Sequence, residues 1–186
     1  MAALSPEQAA NIPANLRVLE LGCGKKRIVA HSVTVDFNEQ CGADVTHDLN
    51  RFPYPFEDNS FDIVIAEHLL EHLDNVIATV EEVHRICSKG ARFYVEVPHF
   101  SSADFHTDPT HRHAFSSRSF DYFVRGTELY GFEYSRATFV KHSVSLSGHS
   151  RYLTRWINQH LELYERRFAF LYPGNLLNFE LEPVKP

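Results

Sequence analysis

Residues 17–24 read RVLELGCG, an apolar run of strand length that stops on two glycines. Glycine at 22 and 24 permits positive φ and lets the backbone come close to a ligand lying across the strand end. Twelve residues after Gly24, VTVD at 33–36 repeats the pattern and closes on Asp36, where a carboxylate can accept hydrogen bonds from both hydroxyls of a ribose. ADVTHD at 43–48 closes on Asp48 and is followed by Leu49, an acceptor and an apolar side chain where an adenine could lie. A tight turn at the glycines and a cap or solvated end at Asp36 would explain each site singly. They do not explain three successive strand ends that finish in an acid.

Working outward, FDIVIA at 61–66 and ARFYVEVP at 91–98 follow turn signals and read as further strands. Between them Val76, Val80, Val83 and Cys87 recur at helical spacing, with Arg85 and Lys89 in the last turn and Gly90 as a stop. Short apolar runs alternating with a crossover helix predict an α/β chain built on a mostly parallel, Rossmann-like sheet. Only Lys25–Ser32 separates the first two strands, eight residues where a parallel crossover needs about 10–12, so the first crossover helix is expected to be shortened or missing. The third-glycine position of a dinucleotide fingerprint is Arg27, which counts against a nicotinamide-binding oxidoreductase.

After Pro98 the chain turns polar and rich in His and Ser up to about Gly126, a candidate active-site insertion after the fifth strand. Glu133–Ser147 offers two β-rich pieces around Lys141-His142. Leu153, Ile157, Leu161, Tyr164, Phe168 and Leu171 form a stripe on one C-terminal helix ended by Pro173-Gly174, and 179–184 reads as a closing strand. One domain is expected over 1–186: an N-terminal extension at 1–16, a ligand-binding core at 17–98, the insertion at 99–126, and C-terminal strands and helix at 127–186.

With 44% hydrophobic and 23% charged residues among 186, the chain can build a substantial core. Its net charge of -6 supplies no attraction for nucleic acid or anionic bilayers, and its apolar runs at 63–66 and 69–70 fall far short of a membrane span. MAALSPEQAANIP lacks the features of an export signal. Cys23, Cys41 and Cys87 are odd in number and show no CxxC spacing, which fits a reducing cytoplasm.

VLELGCG at 18–24, VTVDFN at 33–38, THDLN at 46–50, FPYPFEDNSFDIVIAEHLLEHL at 52–73 and EEVHRICSKGARFYVEVP at 81–98, taken in this order, resemble the class I S-adenosylmethionine-dependent methyltransferases, specifically their type 11 group. The resemblance spans about residues 17–98 and implies a seven-stranded sheet with S-adenosylmethionine as cofactor and S-adenosylhomocysteine as product. It places Glu20, Gly22 and Gly24 at the methionine end, Asp36 at the ribose, Asp48 and Leu49 at the adenine, and Glu67 and His68 near the sulfonium or the substrate, with Cys23 and Phe37 as further cofactor-binding residues.

A sulfonium donor is already activated, so the protein's main task is to hold a nucleophile in line with the methyl group. A neutral hydroxyl acceptor also needs a base, for which histidine suits neutral pH. The stretch VPHFSSADFHTDPTHRHAF at 97–115 offers His99 and His111 as base candidates and Asp108 as an orienting partner. The expected reaction is O-methylation of a small-molecule or sugar-like acceptor.

No metal ligand is assigned, but two alternatives involve one. His68-Leu-Leu-Glu71-His72 spells H-x-x-E-H, which on a helix would make a zinc hydrolase, and Asp108, His111 and His113 could ligate a divalent cation. A packed or hydrogen-bonded His72 is the simpler reading. Arg112, Arg118 and Arg125 could grip an anionic acceptor, although Asp104, Asp108 and Asp121 cancel their charge. A non-catalytic module would instead use the C-terminal helix, where Tyr152 and Trp156 read as core or as the contact of a homodimer.

Overall fold

The computed structural model describes residues 4–148 and 150–185, so the first three residues of the N-terminal extension lie outside it. Seven strands, β1 (Val18–Leu21), β2 (Val33–Asp36), β3 (Val45–Thr46), β4 (Phe61–Glu67), β5 (Cys87–Pro98), β6 (Phe139–Leu146) and β7 (Leu176–Pro183), form one sheet in the order β3-β2-β1-β4-β5-β7-β6. β1 to β5 run parallel, and β7 lies antiparallel between β5 and β6. Helices α1 (Pro6–Ala10), α2 (Val76–Ile86), α3 (Ala103–Thr107), α4 (Arg151–Gln159) and α5 (Leu161–Arg167), with short 3-10 helices at Glu39–Cys41, Asp121–Phe123 and Leu129–Phe132, complete the described elements. Leu19, Val35, Val64, Phe93, Val95 and Leu177 are fully buried, as expected of central strands covered on both faces. The chain leaves β1 for β2 on one side and later places β4 on the other, which opens a crevice at the strand ends.

The first crossover contains no helix, and Glu20 explains how it manages without one. Its buried carboxylate accepts the N–H groups of Ile28 (2.9 Å) and Val29 (2.7 Å) and the hydroxyl of Ser32 (2.7 Å), satisfying donors that a helix would have paired internally. Arg27, in place of a glycine, forks onto Asp44 at 2.9 and 2.8 Å and ties the loop to the β2–β3 connection.

Several boundaries differ from the sequence expectations. α2 ends at Ile86, and Cys87 begins β5 because it pairs with Phe61, so Gly90 is not a helix stop. The register then jumps to Ile63 opposite Arg92, and Gly90, at φ +78°, turns inside that irregularity. The two β-rich pieces around Lys141-His142 are one strand, β6, irregular between Lys141 and Ser143. The expected C-terminal helix is two, broken at His160 (φ −136°, ψ 38°). Its stripe is buried only at Ile157 and Tyr164, while Leu171 is 71% exposed. β7 starts at Leu176, earlier than expected, because Leu176 and Leu177 pair with Pro98 and Val97. Part of the insertion is core: Phe115, Phe120 and Phe123 are buried, with Phe120 edge-on to Phe179.

Candidate active site

Two cavities meet at the C-terminal ends of β1, β2 and β4. The larger, about 430 Å³, is lined by Asp36, Phe37, Asp48, Leu49 and Asn50 on one side and Leu69, His72, Leu73 and Thr110 on the other. The smaller, about 190 Å³, is lined by Glu20, Leu21, Cys23, Lys26, Ile28, Ile65 and Glu67. Gly22 and His68 border both. Gly22 holds φ +66°, and a Cβ there would sit 2.8 Å from Leu69 Cδ1, so the bare backbone is required at the junction.

Asp36 is 7% exposed. One carboxylate oxygen accepts the Gly24 N–H at 2.8 Å and the other the Asn38 N–H at 2.9 Å, which orients the group and leaves each oxygen further accepting capacity. Gly24 lines neither cavity; its part is to hold Asp36. β3 is shorter than the sequence suggests, so Asp48 lies in a turn beyond it, where it accepts the Asn50 N–H at 3.0 Å. Phe37 is 74% exposed at the mouth of the larger cavity. Burial is the main force raising the Cys23 thiol pKa. Burial, then the neighbouring Glu96, raises that of the Glu67 carboxyl, and Glu67 Oε1 has no hydrogen-bond partner.

Residues 68–75 form no helix, which removes the geometric basis of a zinc hydrolase built on His68-x-x-Glu71-His72. His68 instead adopts φ +51°, a left-handed conformation costly for a side chain other than glycine. There its Nδ1 lies 3.5 Å from Glu71 and its Nε2 3.3 Å from Glu96. These two carboxylates, Glu71 foremost, raise its pKa to about 10.

Of the three residues expected to be catalytic, the fold brings two to this wall. His111 Nε2 lies 4.0 Å from Glu71, and its ring stands 4.6 Å from that of His72. Asp108 accepts the Thr110 hydroxyl at 2.6 Å, and Thr110 meets His72 Nδ1 at 2.8 Å, so Asp108 orients His72 rather than His111. His99 is fully buried elsewhere, against Ser101 (2.7 Å) and Glu165 (3.4 Å), and lines neither cavity. His113 Nε2 donates to the Leu73 carbonyl at 2.8 Å, and Arg112 pairs with Asp74. The sequence expectations missed Lys26 and the juxtaposition of Glu71, His72 and His111, since residue 111 lies too far along the chain for spacing to link it to the other two.

The profile of a methyltransferase domain family matches residues 1–166. No curated protein matches the chain. Solved structures similar to it include a SAM-dependent methyltransferase from Archaeoglobus fulgidus (18% identity, 90% of this chain and 86% of that one, TM-score 0.57). Another is an S-adenosylmethionine-dependent methyltransferase from Mesorhizobium loti (18%, 92% and 93%, TM-score 0.57). The [4+2]-cyclase SpnF aligns at 12% identity over 97% of this chain and 80% of that one, TM-score 0.62. At these identities the solved structures establish the fold, and the family match establishes the class. The chain belongs to the methyltransferase domain family and is an S-adenosylmethionine-dependent methyltransferase.

Proposed function

We propose that this enzyme methylates an oxygen of a small-molecule acceptor. S-adenosylmethionine, when bound, supplies an electrophilic methyl group on a sulfonium. The chain's residues suit such a donor. The bare backbone at Gly22 leaves room between the two cavities. Asp36 has accepting capacity for two ribose hydroxyls, and Phe37, Leu49 and Leu73 offer apolar cover to a purine beside the acceptor Asp48. Lys26 and the unpartnered Glu67 oxygen are of opposite sign, fit for a carboxylate and an ammonium.

The observation that carries the acceptor reading is the polar wall beyond His68, where His72 and Thr110 line the cleft with His111 behind them. Imidazole and hydroxyl groups suit an acceptor bearing hydroxyls, and the described residues lining this cavity include no lysine or arginine to hold a phosphate chain. Residues 108–113 cover the wall, through Arg112 N–H and His113 N–H donated to the Glu71 carbonyl at 2.7 and 3.3 Å. Three free cysteines agree with a cytoplasmic setting, and no described helix is long and apolar enough to cross a membrane.

The test is transfer of a carbon-13-labelled methyl group from the donor to small metabolites extracted from cells. A product whose methyl carbon resonates in the methoxy range supports the reading. Labelled methyl found only on nitrogen, or only on protein or RNA in a parallel reaction, overturns it.

A further inference from the structure

The geometry points to a binding site for one divalent transition-metal ion, of the Mn²⁺, Fe²⁺, Co²⁺ or Zn²⁺ class, held by Glu71, His72 and His111 at the acceptor wall. One donor atom from each of these residues lies within 4.8 Å of the other two. The inference does not rest on oxygen being the methylated atom.

Glu71 is the first reason. Its side chain is fully buried and neither carboxylate oxygen has a hydrogen-bond partner among the described residues. A bare buried carboxylate is costly unless a cation answers it. The His68 ring is divided between Glu71, at 3.5 Å, and Glu96, at 3.3 Å, and Glu96 is itself buried with one oxygen unpartnered.

The hydrogen bonds of the two histidines are the second. His111 Nδ1 is 2.9 Å from the Phe105 carbonyl; a carbonyl only accepts, so Nδ1 carries a proton, and the nitrogen of this ring available to a metal is Nε2. The Thr110 hydroxyl spends its single proton on Asp108, so at His72 it accepts from Nδ1–H and again leaves Nε2 free. Ligating imidazoles characteristically have the other ring nitrogen fixed in this way by a carbonyl or a carboxylate. Two imidazoles and one carboxylate suit a transition metal and leave coordination positions open. The cleft beside His72 and Thr110 gives those positions access to a substrate. Bonds of about 2.0–2.2 Å require the three donors to draw in around the ion.

The direct test is titration of chelator-treated full-length protein with Co²⁺, followed by its visible absorption and by calorimetry, with no methyl donor or acceptor present. One equivalent is expected to bind saturably. Alanine at His72 or His111, or Glu71→Gln, should weaken binding at least 100-fold. Thr110→Val, which removes the group holding His72, should weaken it about 10–100-fold. Should these variants not fold, Zn²⁺ added to the wild-type protein with nitrogen-15-labelled histidines serves instead, and the Nε2 resonances of His72 and His111 should shift together at one equivalent. Absence of saturable binding, or binding with those resonances unmoved, overturns the site. S-adenosylhomocysteine binding, measured separately, reports on the cofactor cleft, so failure of one reading is distinguishable from failure of the other.

Discussion

Replacing Asp36 by alanine is the sharpest test of the cofactor cleft. The wild-type carboxylate is held by two backbone N–H groups, at 2.8 and 2.9 Å, and retains capacity for two ribose hydroxyls. Hydrogen bonds to a charged group are worth about 1.5–3 kcal/mol each. The low end for the pair, about 3 kcal/mol, corresponds to a loss of affinity of roughly 100-fold. Alanine also strands the N–H groups of Gly24 and Asn38. These lie beside the cleft, where water can reach them, so the fold should lose only about 2 kcal/mol. At about 2–4 °C per kcal/mol for a chain of this size, the melting temperature drops but the protein stays folded at 25 °C. Isothermal calorimetry with S-adenosylhomocysteine, on protein shown to be native by circular dichroism, measures the effect. Asp36→Asn should be nearly as damaging, because its amide group must face one of the two N–H donors. Native-like variants binding S-adenosylhomocysteine within threefold of wild type would refute the assignment.

Gly22→Ala forces a left-handed alanine and a contact with Leu69; a loss of about 1–2 kcal/mol in urea unfolding is expected from backbone conformation, together with weakened S-adenosylhomocysteine binding. Glu20→Ala leaves the N–H groups of Ile28 and Val29 without an acceptor, while the Ser32 hydroxyl keeps the Val29 carbonyl at 2.9 Å, and should cost about 2–4 kcal/mol, with rapid hydrogen exchange at Ile28 and Val29 as its local signature. Burial pushes the Cys87 thiol up to about 12, so it should resist thiol reagents at pH 8 in the native protein, while Cys23, lining the smaller cavity, should be shielded by S-adenosylhomocysteine; equal labelling with and without that ligand would remove Cys23 from the site. Asp62 is held at about 2, first by its side-chain bond to Arg17. A carboxyl depressed below its usual value of about 3.9 stabilises the fold fully above about pH 4 and loses that contribution as the pH falls through 2. Melting curves of wild type and Asp62→Asn should therefore converge between pH 4 and 2 and stay parallel above it.

Local pattern carried much of this protein. The alternation of short apolar runs with turn residues was sufficient for β1, β2, β4 and most of β5, because buried parallel strands need continuous apolar side chains whatever lies beside them. The eight residues at 25–32 are too few for a crossover helix, and none forms. Asp36 was legible as a cleft residue because a strand end fixes where its last side chains stand, whereas Asp48 lines the same cleft from a turn beyond the end of β3. Where pairing to a distant partner decides the conformation, local pattern failed: Cys87 leaves the helix because Phe61 offers it a ladder, and β6 is one strand because β7 spans both its halves. The acceptor wall belongs to the same category. Glu71 and His72 stand beside His111 only because the N–H groups of Arg112 and His113 dock on the Glu71 carbonyl, and a contact across forty residues leaves no periodicity to read. Spacing along the chain thus determined the parallel strands and the strand ends that border the cleft, whereas burial of Glu71 and its convergence with two imidazoles were decided by long-range packing, since desolvation exists only in the folded chain.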